Sequence, residues 1–83
     1  MSDERAIETE IIRLTGERGA DASICPSEVA RAMSPEWRQL LTAVRRAAIR
    51  LAEAGRIDIL RKGKPVTGEA VRGVIRLRIR PPE

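Results

Sequence analysis

From Trp37 to Leu51 the apolar residues recur at helical spacing. Trp37, Leu40, Leu41, Val44, Ala47, Ala48 and Leu51 fall on one side of a wheel, turned by about 100° per residue. Arg38, Gln39, Thr42, Arg45, Arg46, Ile49, Arg50 and Glu53 fall on the other. The pattern predicts one long helix over 35–54. Ser34 suits its N-cap, because a hydroxyl can accept a bond from an orphan N–H of the first turn. Pro35 suits the first helical position and Glu36 the positive end of the dipole. Gly55 suits the left-handed C-cap. A first helix is predicted over 3–18, where Ile7, Ile11, Ile12 and Leu14 recur, with Ser2 as cap and Asp3 and Glu4 in its first turn. A short helix over 26–33 opens at Cys25-Pro26-Ser27-Glu28, where Glu28 can reach back to the cap. Its apolar side is Val29, Ala30 and Met33.

After Gly55 the period changes to two. Ile57 and Ile59 share one face of a strand over 56–61. In a second strand over 73–80, Ile75, Leu77 and Ile79 point one way and Arg76, Arg78 and Arg80 the other. Pro81-Pro82 ends it, since proline cannot continue the ladder. Residues 62–72 hold Gly63, Pro65 and Gly68 and read as a loop, the long tip of a hairpin. A short extended piece, 22–24, is predicted to be an edge strand in search of a partner. The near-absence of a linker at Ser34-Pro35 is the helix-turn-helix pattern.

The predicted fold is therefore α+β, a single winged helix-turn-helix domain over 1–83. Three helices carry a small three-stranded antiparallel sheet, made by the hairpin and residues 22–24, and 62–72 form the wing. Trp37 is expected to be the largest core contributor, with about 3 kcal/mol or more lost on truncation to Ala. Ile49, apolar among arginines, is expected to pack under the hairpin.

Charge changes this picture from fold to function. The chain of 83 residues has 16 Lys+Arg against 12 Asp+Glu, a net +4. Residues 1–37 hold four basic and eight acidic side chains, whereas 38–80 hold twelve basic and three acidic. Such asymmetry suggests a half that faces a polyanion. Fourteen of the basic residues are Arg and two are Lys, so composition bias of a GC-rich genome is the competing explanation.

In a winged helix the third helix can enter a major groove about 12 Å wide. Arg38, Gln39, Thr42, Arg45, Arg46 and Arg50 lie on its outward face. Arg61, Lys62, Lys64 and Arg72 lie at the wing, where they can hold phosphates or enter a minor groove. The expected function is nucleic-acid binding, DNA ahead of RNA. The alternative is a protein-interaction or dimerisation module of the same fold, with the acidic first helix (Glu4, Glu8, Glu10) or the last strand as docking surface.

Catalysis finds little support. No histidine is present, which removes the commonest general base and metal ligand. Cys25 sits at a helix start, but it lacks a usual base and reads as a small apolar residue. No metal-ligand spacing or Gly-rich phosphate loop is present, so no cofactor and no small-molecule ligand are expected. One unpaired cysteine, no leader and no apolar run of the roughly 18 residues a membrane span needs point to the cytoplasm.

Several stretches together resemble a known family. They are ICPSEVARAM at 24–33, Trp37-Arg38 with Leu40, Val44, Arg45 and Ala47, LAEAGRIDILRKGKPV at 51–66, and GVIRLR at 73–78. Over about residues 6–79 the chain is similar to the bacterial family designated domain of unknown function 3253. The resemblance implies a winged-helix fold and a bacterial cytoplasmic protein, and it implies no activity.

Overall fold

The computed structural model describes residues 4–67, 71 and 73–81. Ser2, Asp3, Gly68, Arg72 and Pro82, all used above, lie outside the described residues. The elements are α1 (Glu4–Arg18), α2 (Pro26–Met33), a 3-10 turn (Trp37–Leu40), α3 (Leu41–Glu53), β1 (Ile57–Arg61), β2 (Lys64–Pro65) and β3 (Arg76–Ile79). Three helices and a small antiparallel sheet form an α+β, winged-helix-like arrangement.

The core is aliphatic. Ile7 and Ile11 of α1 meet Val29 and Ala30 of α2, and Val44, Ala47, Ala48 and Leu51 of α3. Ile57 and Ile59 of β1 and Leu77 of β3 close it from the sheet side, with Ile24 and Ile75. Thr15 is the buried polar exception, and its hydroxyl donates to the Ile11 carbonyl at 2.6 Å. Helix ends follow the sequence in two places. The Cys25 N–H donates to Glu28 Oε2 at 2.8 Å, one arm of the expected capping box. Gly55, at φ +78°, ends α3. The Gly55 N–H then donates to Ala52 and the Arg56 N–H to Leu51, a Schellman closure.

The predicted long helix starts late. Ser34 closes α2 instead of capping α3, and its N–H donates to the Ala30 carbonyl at 3.1 Å. Its hydroxyl accepts from the Glu36 N–H at 3.0 Å, which holds a local turn. Glu36 lies at φ −94°, ψ +46°, outside the helical region. The chain therefore cannot run from Pro35 straight into α3, and the 3-10 turn intervenes. That turn places Trp37 at the rim of the core, only half-buried. The expectation that Trp37 dominates the core is corrected accordingly, since isoleucine, leucine and valine fill the centre.

The sheet order is β2-β1-β3. Ile57 pairs with Ile79, Asp58 with Arg78, Ile59 with Leu77 and Leu60 with Arg76. The expected partner of residues 22–24 is β3, reduced to a single bridge. Ile24 and Leu77 exchange N–H···O bonds, both at 2.8 Å. The third strand of the sheet is instead Lys64–Pro65, inside the predicted loop. Lys62 at φ +53° and Gly63 at φ +80° make a two-residue turn between Arg61 and Lys64. Positive φ at both central residues matches the strand twist, and glycine takes it without a Cβ clash. The tip of the wing is thus short. The segment after it turns back over α3, where Val66 and Val71 border a small hollow with Ile49, Ala52 and Ile59. Ile49 packs there, under the hairpin as expected.

Candidate functional site

The arginines of α3 point to three different fates. Arg50 turns toward α1, where its Nε donates to Glu8 Oε2 at 2.8 Å and Nη1 lies 3.6 Å from Glu4. The Glu8 hydrogen bond, against some burial, holds the guanidinium above its ordinary pKa. Arg45 turns the other way, and its Nη2 donates to the Gly73 carbonyl at 2.6 Å. Arg46 stands between them, exposed and without a partner among the described residues. The outward face predicted for Arg38–Arg50 is therefore narrower than the wheel implies. Arg50 is a tie between helices, and Arg45 braces the segment before β3.

At the start of that face, Arg38 lies over the Trp37 ring at 4.4 Å from its centroid. Arg31 of α2 lies over the same ring at 4.4 Å. The stacking holds two cations at the α2–α3 corner, neither in an ion pair among the described residues although Glu36 sits beside Trp37. Gln39 donates to Glu36 Oε2 at 3.2 Å, and Thr42 is exposed. At the other predicted edge, Lys62 and Lys64 are exposed and Arg61 is half-buried. None of these three has an ion pair among the described residues. Arg72 is outside the described residues.

Elsewhere carboxylates consume the positive charge. Arg13 binds Glu10 and Glu17, and this pairing lowers the Glu10 pKa, chiefly through the Arg13 hydrogen bond. Arg18 binds Glu28 at 2.7 Å. On the outer face of the sheet, Asp58 takes Arg78 at 3.1 Å and Arg80 at 3.7 Å. Arg76 donates to both the Ser23 hydroxyl and carbonyl, at 2.7 and 2.8 Å, and to Cys25 Sγ at 3.0 Å. The last-strand arginines Arg76, Arg78 and Arg80 are therefore held by their neighbours. Arg5 and Arg56 carry no ion pair, but they share a shallow hollow with Glu8.

Among the described residues, Arg5, Arg45, Arg56 and Arg76 also lack a carboxylate, but Arg45 and Arg76 are held by other groups. The remaining cations without an ion pair on the α3 and wing side are Arg31, Arg38, Arg46, Arg61, Lys62 and Lys64. A family model described as "Protein of unknown function (DUF3253)" matches residues 4–80. The chain belongs to the DUF3253 family. Set against the curated proteins, it finds no match. Within this DUF3253 protein, two features of the surface escaped the sequence pattern. Arg31 joins Trp37 only because the 3-10 turn folds the ring back to α2. Val74 is 85% exposed although apolar, an exception to an alternation whose other outward positions carry arginine. No group of three His, Cys, Asp or Glu is placed to hold a metal among the described residues. No described helix is long and apolar enough to cross a membrane.

Proposed function

We propose that this DUF3253 protein is a nucleic-acid-binding module, with DNA ahead of RNA, and not an enzyme. One observation carries the reading. Its carboxylates pair with arginines on α1, on the outer sheet face and between α1 and α3, yet Arg31, Arg38, Arg46 and the cations of the β1–β2 turn have no ion pair among the described residues. A cluster of cations without ion pairs favours a polyanion. Phosphate contacts from Arg31, Arg38, Lys62 and Lys64 would set register, while Gln39, Thr42 and Arg46 present hydrogen-bonding groups to base edges. Single modules of this kind bury roughly 600–1,000 Å² of protein surface. Tight sequence-specific binding therefore favours a dimer on the nucleic acid. The lone thiol of Cys25 accords with a reducing cytoplasm.

The test is fluorescence anisotropy of a labelled random duplex at about 50 mM and about 200 mM salt. Micromolar binding that falls steeply with salt is expected, because phosphate neutralisation releases counterions. The triple variant Arg46→Ala, Lys62→Ala and Lys64→Ala is expected to bind at least about tenfold more weakly and with a flatter salt slope. Trp37 is the single aromatic residue, so its emission offers an unlabelled readout of any contact at Arg31 and Arg38. A folded wild-type protein that fails to bind at about 50 mM salt overturns the proposal.

A further inference from the structure

Val74 is the one large apolar side chain left exposed among the described residues, at 85%. It forms a wall shared by two hollows. The first, about 530 Å³, is bordered by Leu60, Arg61, Lys62 and Arg76. The second, about 430 Å³, is bordered by Pro26, Leu41, Ile75 and Arg45. Cations edge both hollows, and neither lining contains a carboxylate. Two of the cations are already fixed in place, Arg45 by the Gly73 carbonyl at 2.6 Å and Arg76 by the Ser23 carbonyl at 2.8 Å. Binding there would cost less side-chain ordering than at free arginines.

We infer that this groove docks an acidic segment of a partner protein, with one apolar side chain in each hollow on either side of Val74 and carboxylates against Arg45, Arg61 and Lys62. The apolar walls argue for side-chain anchors over a purely ionic ligand, since an apolar wall contributes by being covered. The uncompensated rims select acidic chemistry by charge complementarity. A second copy of this chain is a poorer occupant. Its Glu8, Glu10, Glu17, Glu28 and Asp58 are already engaged by its own arginines. Its exposed Asp21, Glu36 and Glu53 stand on three separate elements or turns, so they do not form one acidic segment flanked by two apolar anchors. The groove shares Arg61 and Lys62 with the nucleic-acid surface, but Val74 belongs to the groove alone, so the two functions separate experimentally.

The experiment titrates the full chain into short fluorescein-labelled glutamate peptides carrying two leucines at varied spacing, with an all-glutamate peptide as control. At least one leucine spacing is expected to bind about fivefold or more tightly than the control. Val74→Asn, neutral and at an exposed position, is expected to weaken that peptide about fivefold or more while duplex affinity stays within about twofold. Lys62→Glu is expected to weaken leucine and control peptides alike. The inference is overturned if no peptide binds, if the control binds as well as the leucine peptides, or if Val74→Asn leaves them unaffected. It is also overturned if Val74→Asn weakens the duplex as much as the peptide, which would assign the groove to nucleic acid. The wild-type duplex titration decides the nucleic-acid proposal independently of all these outcomes.

Discussion

Arg46 and Arg50 are the same residue type one turn apart on the same helix, yet they do opposite things. Arg50 is drawn to Glu8 and Glu4 of α1. Arg46 meets no carboxylate among the described residues. The same split divides the molecule. At Arg13 and Arg18 of α1 and around Asp58 on the outer sheet face, arginine is an internal tie held by carboxylates. At the α2–α3 corner and the β1–β2 turn, it is a surface charge left for something else. The difference shows that a count of arginines is a poor measure of a binding surface. What matters is where the acidic residues are not.

The largest effect is expected where both regions rest on one side chain. Leu77 is fully buried and its backbone holds Ile24. Leu77→Ala should lower unfolding free energy by about 3 kcal/mol in urea titration, with loss at both regions together. Gly63→Ala should cost about 1 kcal/mol, because a Cβ is strained at φ +80°. It should also weaken duplex binding by displacing Lys62 and Lys64, which places that turn in the binding region. Arg50→Ala should lower the melting temperature by about a few degrees at most, as partly exposed pairs are worth little. Duplex affinity should stay within about twofold of wild type, since Arg50 belongs to the tie region; an equal loss at Arg50 and Arg46 would erase the distinction between them.

The smallest effect concerns pH. The Arg13 hydrogen bond holds Glu10 below the ordinary glutamate pKa. A carboxyl depressed in the folded state adds stability above the unfolded value and loses it as pH falls through the folded one. Arg13→Ala should therefore flatten the acid limb of the melting curve slightly, by about a degree or two.

Local chemistry carried most of the fold into the sequence. Gly55, Pro26 with Glu28, and the alternation at Ile57, Ile59 and Leu77 all act through neighbours in the chain, so they are readable without the structure. The start of α3 was not, because Ser34 fits equally well as the end of one helix and the cap of the next. Lys62-Gly63 is a weaker turn signal than Asn-Gly, since lysine rarely takes positive φ. It was therefore absorbed into a loop. The candidate site was less legible for a different reason. A helical wheel assigns Arg45, Arg46 and Arg50 to one face, but it has no information about α1 or Gly73, which lie 42 and 28 residues away along the chain for the contacting pairs. Charge pairing over such distances is a property of the packed fold.

The bridge between Ile24 and Leu77 also sets an order of assembly. β3 follows the helices and the β1–β2 hairpin in sequence, and it has β1 on one side and the single bridge to Ile24 on the other. During synthesis the helices and the β1–β2 hairpin emerge first, with the inner edge of β1 and the backbone of Ile24 both unpaired. Only when residues 76–79 leave the ribosome does one strand close both gaps at once. A product truncated before Arg76 would keep its basic turn and helices but expose an open strand edge, a template for pairing with other chains.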